Sequence, residues 1–184
     1  MKNRELLETE INNQYSERFK KFGATPKGVF WVSNERQETR FNLILKEIQK
    51  ISPKQTVLDI ADIGCGYGSF ADYLFKKINR DDFKYEGFDI NKDLIEHCHR
   101  NFSESNLRFV VGCKPSSDKD FVIMSGTYNL ATTKDVSLWE QYLFDCLSEC
   151  WSYAKSAMIF NLQTSEKRKI GSQNIYYAKT SDII

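Results

Sequence analysis

The stretch that most constrains this chain is TVLDIADIGCGYG, residues 56–68, a β-rich and largely apolar run that leads straight into three glycines at alternate positions. A strand that is apolar on both of its alternating faces is covered on both sides, as in a parallel sheet flanked by helices. Gly64, Gly66 and Gly68 remove every second side chain where the chain must turn, so the backbone there can come close to a ligand. From Ser69 to Asn79, Phe70, Leu74 and Ile78 recur at four-residue steps. That spacing predicts a helix whose N-terminus presents unpaired N–H groups, suited to a carboxylate or a phosphate.

The alternation continues downstream. KYEGFDI (84–90) reads as the next strand, and Asn91 is placed to cap a helix to about Phe102 with Leu94, Cys98 and Phe102 inward. LRFVV (107–111) and FVIMS (121–125) are short apolar strands joined by a loop-like segment. Ser137 to Ala154 is predicted helical through Leu143, Cys146, Leu147, Cys150 and Trp151. AMIFNL (157–162) is a fifth strand and IYYA (175–178) a sixth. Upstream, residues 2–22 carry Leu6, Leu7, Ile11, Tyr15 and Phe19 at roughly helical spacing, GATPKG (23–28) breaks the pattern, and a second helix is expected from about Glu35 to Lys50, ended by Pro53.

Strands alternating with helices predict an α/β fold: a doubly wound, mainly parallel sheet of five to six strands with flanking helices. An N-terminal helical arm or cap (1–52) precedes one structural unit (53–184). The order of strands within the sheet is not readable from the sequence.

Charge narrows the partners. Lys plus Arg (26) nearly balance Asp plus Glu (25), so no global field draws nucleic acid or anionic lipid, and Lys167, Arg168 and Lys169 read as a solvated loop. There is no run of about eighteen apolar residues, and the start, MKNRELLETE, is too polar and acidic for a secretory signal. Five scattered cysteines fit reduced thiols in a cytoplasm rather than a disulfide framework. No metal is expected: His97 and His99 are two apart on a helix and cannot share a face, while Cys146 and Cys150 read as core.

In a doubly wound sheet, ligands bind beyond the carboxyl ends of the strands, where strand order reverses. Asp89 ends the second predicted strand, and an acid there accepts hydrogen bonds from both hydroxyls of a ribose. The ligand therefore contains a nucleoside. A dinucleotide site favours G-x-G-x-x-G, but the sixth position from Gly64 is Ser69, and the last glycine falls one place early at Gly68.

Asp62, Ile63, Gly64, Cys65, Gly66, Tyr67 and Gly68 instead resemble motif I of the class I S-adenosylmethionine-dependent methyltransferases, a Rossmann-like fold. Asp89 with Ile90 resembles that family's acidic post-strand motif, and DFVIMSGTYN (120–129) its fourth-strand motif. WVSNERQETRF (31–41) is similar to the leader of a bacterial subgroup with a W…Q-x-x-R-F pattern.

The resemblance implies a methyltransferase that converts S-adenosyl-L-methionine to S-adenosyl-L-homocysteine. It implies that Gly64, Cys65 and Gly66 run along the cofactor's amino-acid part, with Gly68 completing the turn. Asp62 orients that backbone or meets the ammonium, Asp89 takes the ribose, and Ile90 lies on the adenine. Cys113 stands where the family often has an acid for the adenine amino group, which leaves that work to backbone or to Asp118. Arg40 pairs with the cofactor carboxylate and Trp31 covers the pocket. Ser125 counts among the cofactor-binding residues, and with Tyr128 and Asn129 it stands at the acceptor end of the fourth strand, Tyr128 and Asn129 as catalytic candidates.

No acid–base pair is evident, so alignment of the reactants is the expected source of rate. The acceptor is expected to be a small molecule or saccharide-like. The family's sheet usually closes with an antiparallel strand pair, and only 22 residues follow Leu162. An abbreviated sheet is therefore expected, its missing piece supplied by a partner subunit in a homo-oligomer or absent from a shortened chain. Two other functions compete: a non-catalytic methyltransferase-like module, and an NAD-dependent oxidoreductase.

Overall fold

A computed structural model describes residues 2–52 and 57–182. Pro53, expected to end the second helix, and Thr56, expected to open the first strand, lie outside the described residues.

Five strands form the central sheet: β1 (Leu58–Ile63), β2 (Phe83–Asp89), β3 (Leu107–Val111), β4 (Lys119–Met124) and β5 (Ala154–Phe160). They are all parallel, in the order β3-β2-β1-β4-β5. The helices are α1 (Lys2–Phe22), α2 (Asn34–Ile51), α3 (Ser69–Lys77), α4 (Lys92–Asn101) and α5 (Val136–Trp151). The chain steps outward from β1 to β3, then returns to the other side of β1 for β4 and β5. A crevice therefore opens at the carboxyl ends of β1 and β4.

Alternation within the strands builds two apolar layers. Ile60, Tyr85, Phe121 and Ile123 face Phe41, Ile44 and Ile48 of α2, Phe70 and Leu74 of α3, and Ile95 and Cys98 of α4. Ala61, Ile63, Phe88, Val122 and Met124 face the opposite way, onto Trp139, Leu143, Cys146 and Cys150 of α5. This explains the near-continuous apolar run of β1: both of its faces are inside.

Side-chain caps set the helix starts, the predicted one at Asn91 among them. Asn91 Oδ1 accepts from Leu94 N at 3.1 Å, and Ser33 Oγ accepts from Arg36 N at 3.4 Å. Asp135 caps α5 through Ser137 and Leu138, which starts that helix a residue earlier than expected.

As the loop-like reading of this link expects, residues 112–118 join β3 to β4 without a helix, and on that face Leu7 and Ile11 of α1 enter the apolar layer with Phe88 and Val110. The predicted sixth strand exists, as β8 (Tyr176–Lys179), but belongs to a separate small sheet. There it pairs with β6 (Gln163–Ser165) and β7 (Lys169–Ile170), two strands too short to show a period of two. Tyr176 and Ala178 anchor this sheet on the α5 layer. Of the basic run 167–169, Arg168 pairs with Glu140 at 2.7 Å and Lys169 lies over the Tyr177 ring.

Candidate functional site

A cleft of about 930 Å³, its open mouth included, lies at the crevice. Its floor is the turn after β1. Gly64, Gly66 and Gly68 have φ of 75°, 59° and 83°, the left-handed region that glycine enters without penalty. The N–H groups of Gly64 and Cys65 both donate to Phe88 O, at 2.7 and 3.0 Å, which ties the turn to the end of β2. Gly68 stands behind the cleft wall, where a Cβ would come within 2.5 Å of the Phe102 ring.

Asp89 is the second anchor. Its Oδ2 accepts from Gly66 N at 2.9 Å and its Oδ1 from Asn91 N at 2.8 Å, so one carboxylate holds both the glycine turn and the start of α4. Burial in the cleft wall pushes Asp89 up to about 6, against the lowering effect of those two N–H groups. Each oxygen keeps a lone pair for a further donor.

Asp62, one strand away and 3% exposed, accepts from the Tyr85 hydroxyl at 2.6 Å. Burial raises it to about 7 despite that hydrogen bond, with the charge of Asp89 adding to the rise. The glycine turn is held by Asp89 rather than by Asp62.

The roof comes from the N-terminal helices. Ile11, Asn12 and Tyr15 of α1 line the cleft, as do Val29 and Trp31 from the connection that follows, and Gln37 and Phe41 of α2. Asn91 Nδ2 lies 2.7 Å from Asn12 Oδ1 and 2.8 Å from Ser16 Oγ, which fixes α1 across the opening. Gln37, 5% exposed, donates to Ser69 Oγ at 3.1 Å and accepts from the Tyr67 hydroxyl at 3.1 Å, so α2 grips the glycine turn from above.

The structure brings Asp62, Gly64, Cys65, Gly66, Asp89, Ile90, Cys113, Ser125, Tyr128 and Trp31 to this cleft. Arg40 does not line it. Its guanidinium stacks on the Trp31 ring, 5.1 Å from the centroid, with no carboxylate partner among the described residues. Cys113 Sγ accepts from Arg4 Nη2 at 3.3 Å, and Arg4 is itself paired with Glu149 at 2.7 Å. Asp118, considered as an adenine acceptor, is exposed and precedes β4, at the far end of the sheet from the cleft.

Tyr128 is buried, and burial raises its hydroxyl well above the usual phenol range, so it stays protonated. Asn129 is outside the cleft lining: its Oδ1 accepts from Gln163 N and its backbone O from Tyr176 N, which joins β4 to the small sheet. Ser125 Oγ is buried in the cleft wall and has no hydrogen-bond partner among the described residues. His97 packs edge-on against Phe19 and His99 Nε2 lies 2.8 Å from Phe109 O. No group of three or more potential metal ligands is present among the described residues. None of the described helices is long and apolar enough to cross a membrane.

Sequence reasoning missed Gln37, Tyr15 and Asn12 as cleft residues. Gln37 stood inside the W…Q-x-x-R-F pattern, and its one signal was a polar residue on the apolar face of α2. Tyr15 and Asn12 gave none, because their role depends on where α1 is laid down.

A family model of a methyltransferase domain matches residues 60–156. The Mycobacterium tuberculosis protein Rv1506c, provisionally named a methyltransferase, is 25% identical over 122 residues, 65% of this chain and 72% of its own. The crystal structure of magnesium protoporphyrin IX methyltransferase from Synechocystis PCC 6803, with S-adenosylmethionine bound, aligns with 100% of this chain and 83% of that one (TM-score 0.63, 15% identity). An S-adenosylmethionine-dependent methyltransferase of Leishmania major aligns with 92% of this chain and 68% of its own (TM-score 0.68, 13% identity). At such identities the likeness is one of fold.

Proposed function

The chain belongs to the methyltransferase-domain family, and on that premise we propose that it uses S-adenosylmethionine to methylate a small-molecule or saccharide-like acceptor. The observation that carries the cofactor reading is Asp89, which locks the Gly66 N–H and keeps a lone pair on each oxygen facing a nucleoside-sized cleft.

The residues fit the cofactor. At Gly66 the turn presents an open backbone to the cleft, Asp89 is placed for ribose hydroxyls, and the Ser125 hydroxyl, unpartnered among the described residues, lies in the cleft wall. Asp62 supplies negative charge for the ammonium end, Ile90 an apolar face for the adenine, and Gly112 and Cys113 the adenine edge. When bound, S-adenosylmethionine supplies a methyl group on a cationic sulfur that departs as a neutral thioether.

The protein's own contribution is placement and dryness. Trp31, Tyr15 and Phe41 exclude water from the cleft while the glycine turn and Asp89 fix orientation, a source of several kcal/mol in rate. Tyr128, held protonated by burial, is a hydrogen-bond donor and not a base. A small acceptor suits a cleft roofed by α1 and α2, and the balanced charge gives no field for a nucleic acid.

Calorimetric titration with S-adenosylmethionine, S-adenosylhomocysteine and NAD tests this, on the wild type and on Asp89→Ala. Micromolar binding of both sulfur ligands, lost in the variant, is expected. Binding of NAD alone would return the chain to the oxidoreductases, and sulfur-ligand binding without turnover of any acceptor would make it a binding module.

A further inference from the structure

Charge that balances over the whole chain does not balance in space. Residues 17–40 carry Arg18, Lys20, Lys21, Lys27, Arg36 and Arg40 against Glu17, Glu35 and Glu38; of 26 bases and 25 acids in all, twenty and twenty-two remain elsewhere. These cations lie on the end of α1, the short turn Pro26–Val29 and the start of α2, the segments that roof the cleft. None of the six has a carboxylate within salt-bridge distance among the described residues.

The cations are held by aromatic rings instead. The Arg18 guanidinium lies 4.8 Å from the Phe22 centroid and 4.5 Å from that of Phe30, Lys21 Nζ lies 5.3 Å from Phe22, and Arg40 lies 5.1 Å from Trp31. Phe30 and Trp31 are consecutive, so these contacts join into one strip from α1 across the connection to α2. Stacking of this kind settles a long side chain without neutralising its charge. Lys20, Lys21, Lys27 and Arg36 are exposed.

Two apolar side chains face solvent beside the strip. Val32, 68% exposed, directly follows Trp31. Leu43, 59% exposed, continues the face of Arg36 and Arg40 at the i, i+4, i+7 spacing of a helix. Unpaired cations with apolar side chains among them match an anionic lipid leaflet, which presents negative headgroups with hydrocarbon just beneath. A nucleic acid fits less well. Each ring of the strip already carries a cation and is not free to stack on a base, and Val32 and Leu43 would find no apolar partner on a phosphate backbone.

We propose that this strip docks the protein peripherally on a bilayer leaflet rich in anionic lipid, with Lys20, Lys21, Lys27 and Arg36 at the headgroups and Val32 at the acyl boundary. Trp31 belongs both to the strip and to the cleft lining, so docking brings the mouth of the cleft to the leaflet. The inference does not depend on which ligand the cleft holds.

Co-sedimentation of the full chain with vesicles tests it, using phosphatidylcholine alone and an equimolar mixture with phosphatidylglycerol, beside fluorescence titration of a labelled single-stranded DNA oligonucleotide. Binding to the anionic vesicles alone is expected, and its loss near 1 M salt, where screening shortens to about 3 Å. One basic residue at such a leaflet is worth about fivefold in affinity. The variant carrying Lys20→Gln, Lys21→Gln, Lys27→Gln and Arg36→Gln should therefore bind at least about a hundredfold more weakly, with Tm unchanged.

Val32→Ser supplies a second reading at constant charge: vesicle binding at least about threefold weaker, from lost apolar burial. Equal binding to neutral vesicles, binding to neither, full binding by the fourfold variant, unchanged binding by Val32→Ser, or tighter binding of the oligonucleotide than of the anionic vesicles would each overturn the docking.

Discussion

At the scale of single residues, two glycines of the same turn separate ligand contact from folding. A methyl on Gly68 would enter the Phe102 ring at 2.5 Å, in a backbone with φ of 83°. Gly68→Ala should therefore cost about 2–3 kcal/mol in urea denaturation, from left-handed strain together with overpacking. A methyl on Gly66 would meet only Val29, at 3.5 Å, within the cleft. Gly66→Ala should cost about 1–2 kcal/mol yet weaken S-adenosylhomocysteine binding by at least about tenfold, a 1.4 kcal/mol effect, read by calorimetry. Equal stability losses in the two variants would mean that the turn relaxes around the new methyl. That the glycine turn and Asp89 share one cleft was legible in the sequence, because motif residues at strand ends carry their position with them. That Asp89, and not Asp62, holds the turn was not legible, since both acids end strands and only the register of β1 against β2 tells which one meets Gly66 N.

At the scale of elements, α1 is held to the rest of the molecule by Arg4 on Glu149 at one end and by Asn91 on Asn12 and Ser16 further along. Asn91→Asp keeps the oxygen that caps α4 and removes the amide donor to α1. Amide hydrogen exchange should accelerate in residues 8–18 by at least about tenfold while α4 stays protected, and S-adenosylhomocysteine should dissociate faster through the loosened roof. Equal acceleration in both helices would instead mark a damaged cap. The sequence announced α1 as an amphipathic helix but not its seat. Its apolar stripe of Leu7, Ile11 and Tyr15 fits any apolar groove, and the groove it occupies exists only because residues 112–118 cross the sheet without a helix of their own.

At the scale of the whole molecule, two raised carboxyl groups make stability and ligand affinity depend on pH in opposite senses. Folded, Asp62 keeps its proton up to about 7 and Asp89 up to about 6; unfolded, both release it near the ordinary value of 3.8. Between those values the folded state binds more protons, so stability falls as pH rises from about 4 to about 7, by a few kcal/mol in all. The urea midpoint should be higher at about pH 5.5 than at about pH 8, with the difference reduced in Asp62→Asn. Ionised carboxyls are what an ammonium and ribose hydroxyls bind, so S-adenosylhomocysteine affinity should rise over the same interval. A midpoint independent of pH would show that neither group is raised.

Taken alone, the sequence determined the alternation of strands and helices, the glycine turn and its acid, and hence the family, because these depend on local spacing and backbone conformation. The tertiary structure decided what depends on meeting across the chain. It sent the last strands into a separate sheet and laid α1 and Gln37 over the cleft. It also joined Arg18 and Arg40 into one surface strip, since the two meet through Phe30 and Trp31 only once the connection between α1 and α2 is folded.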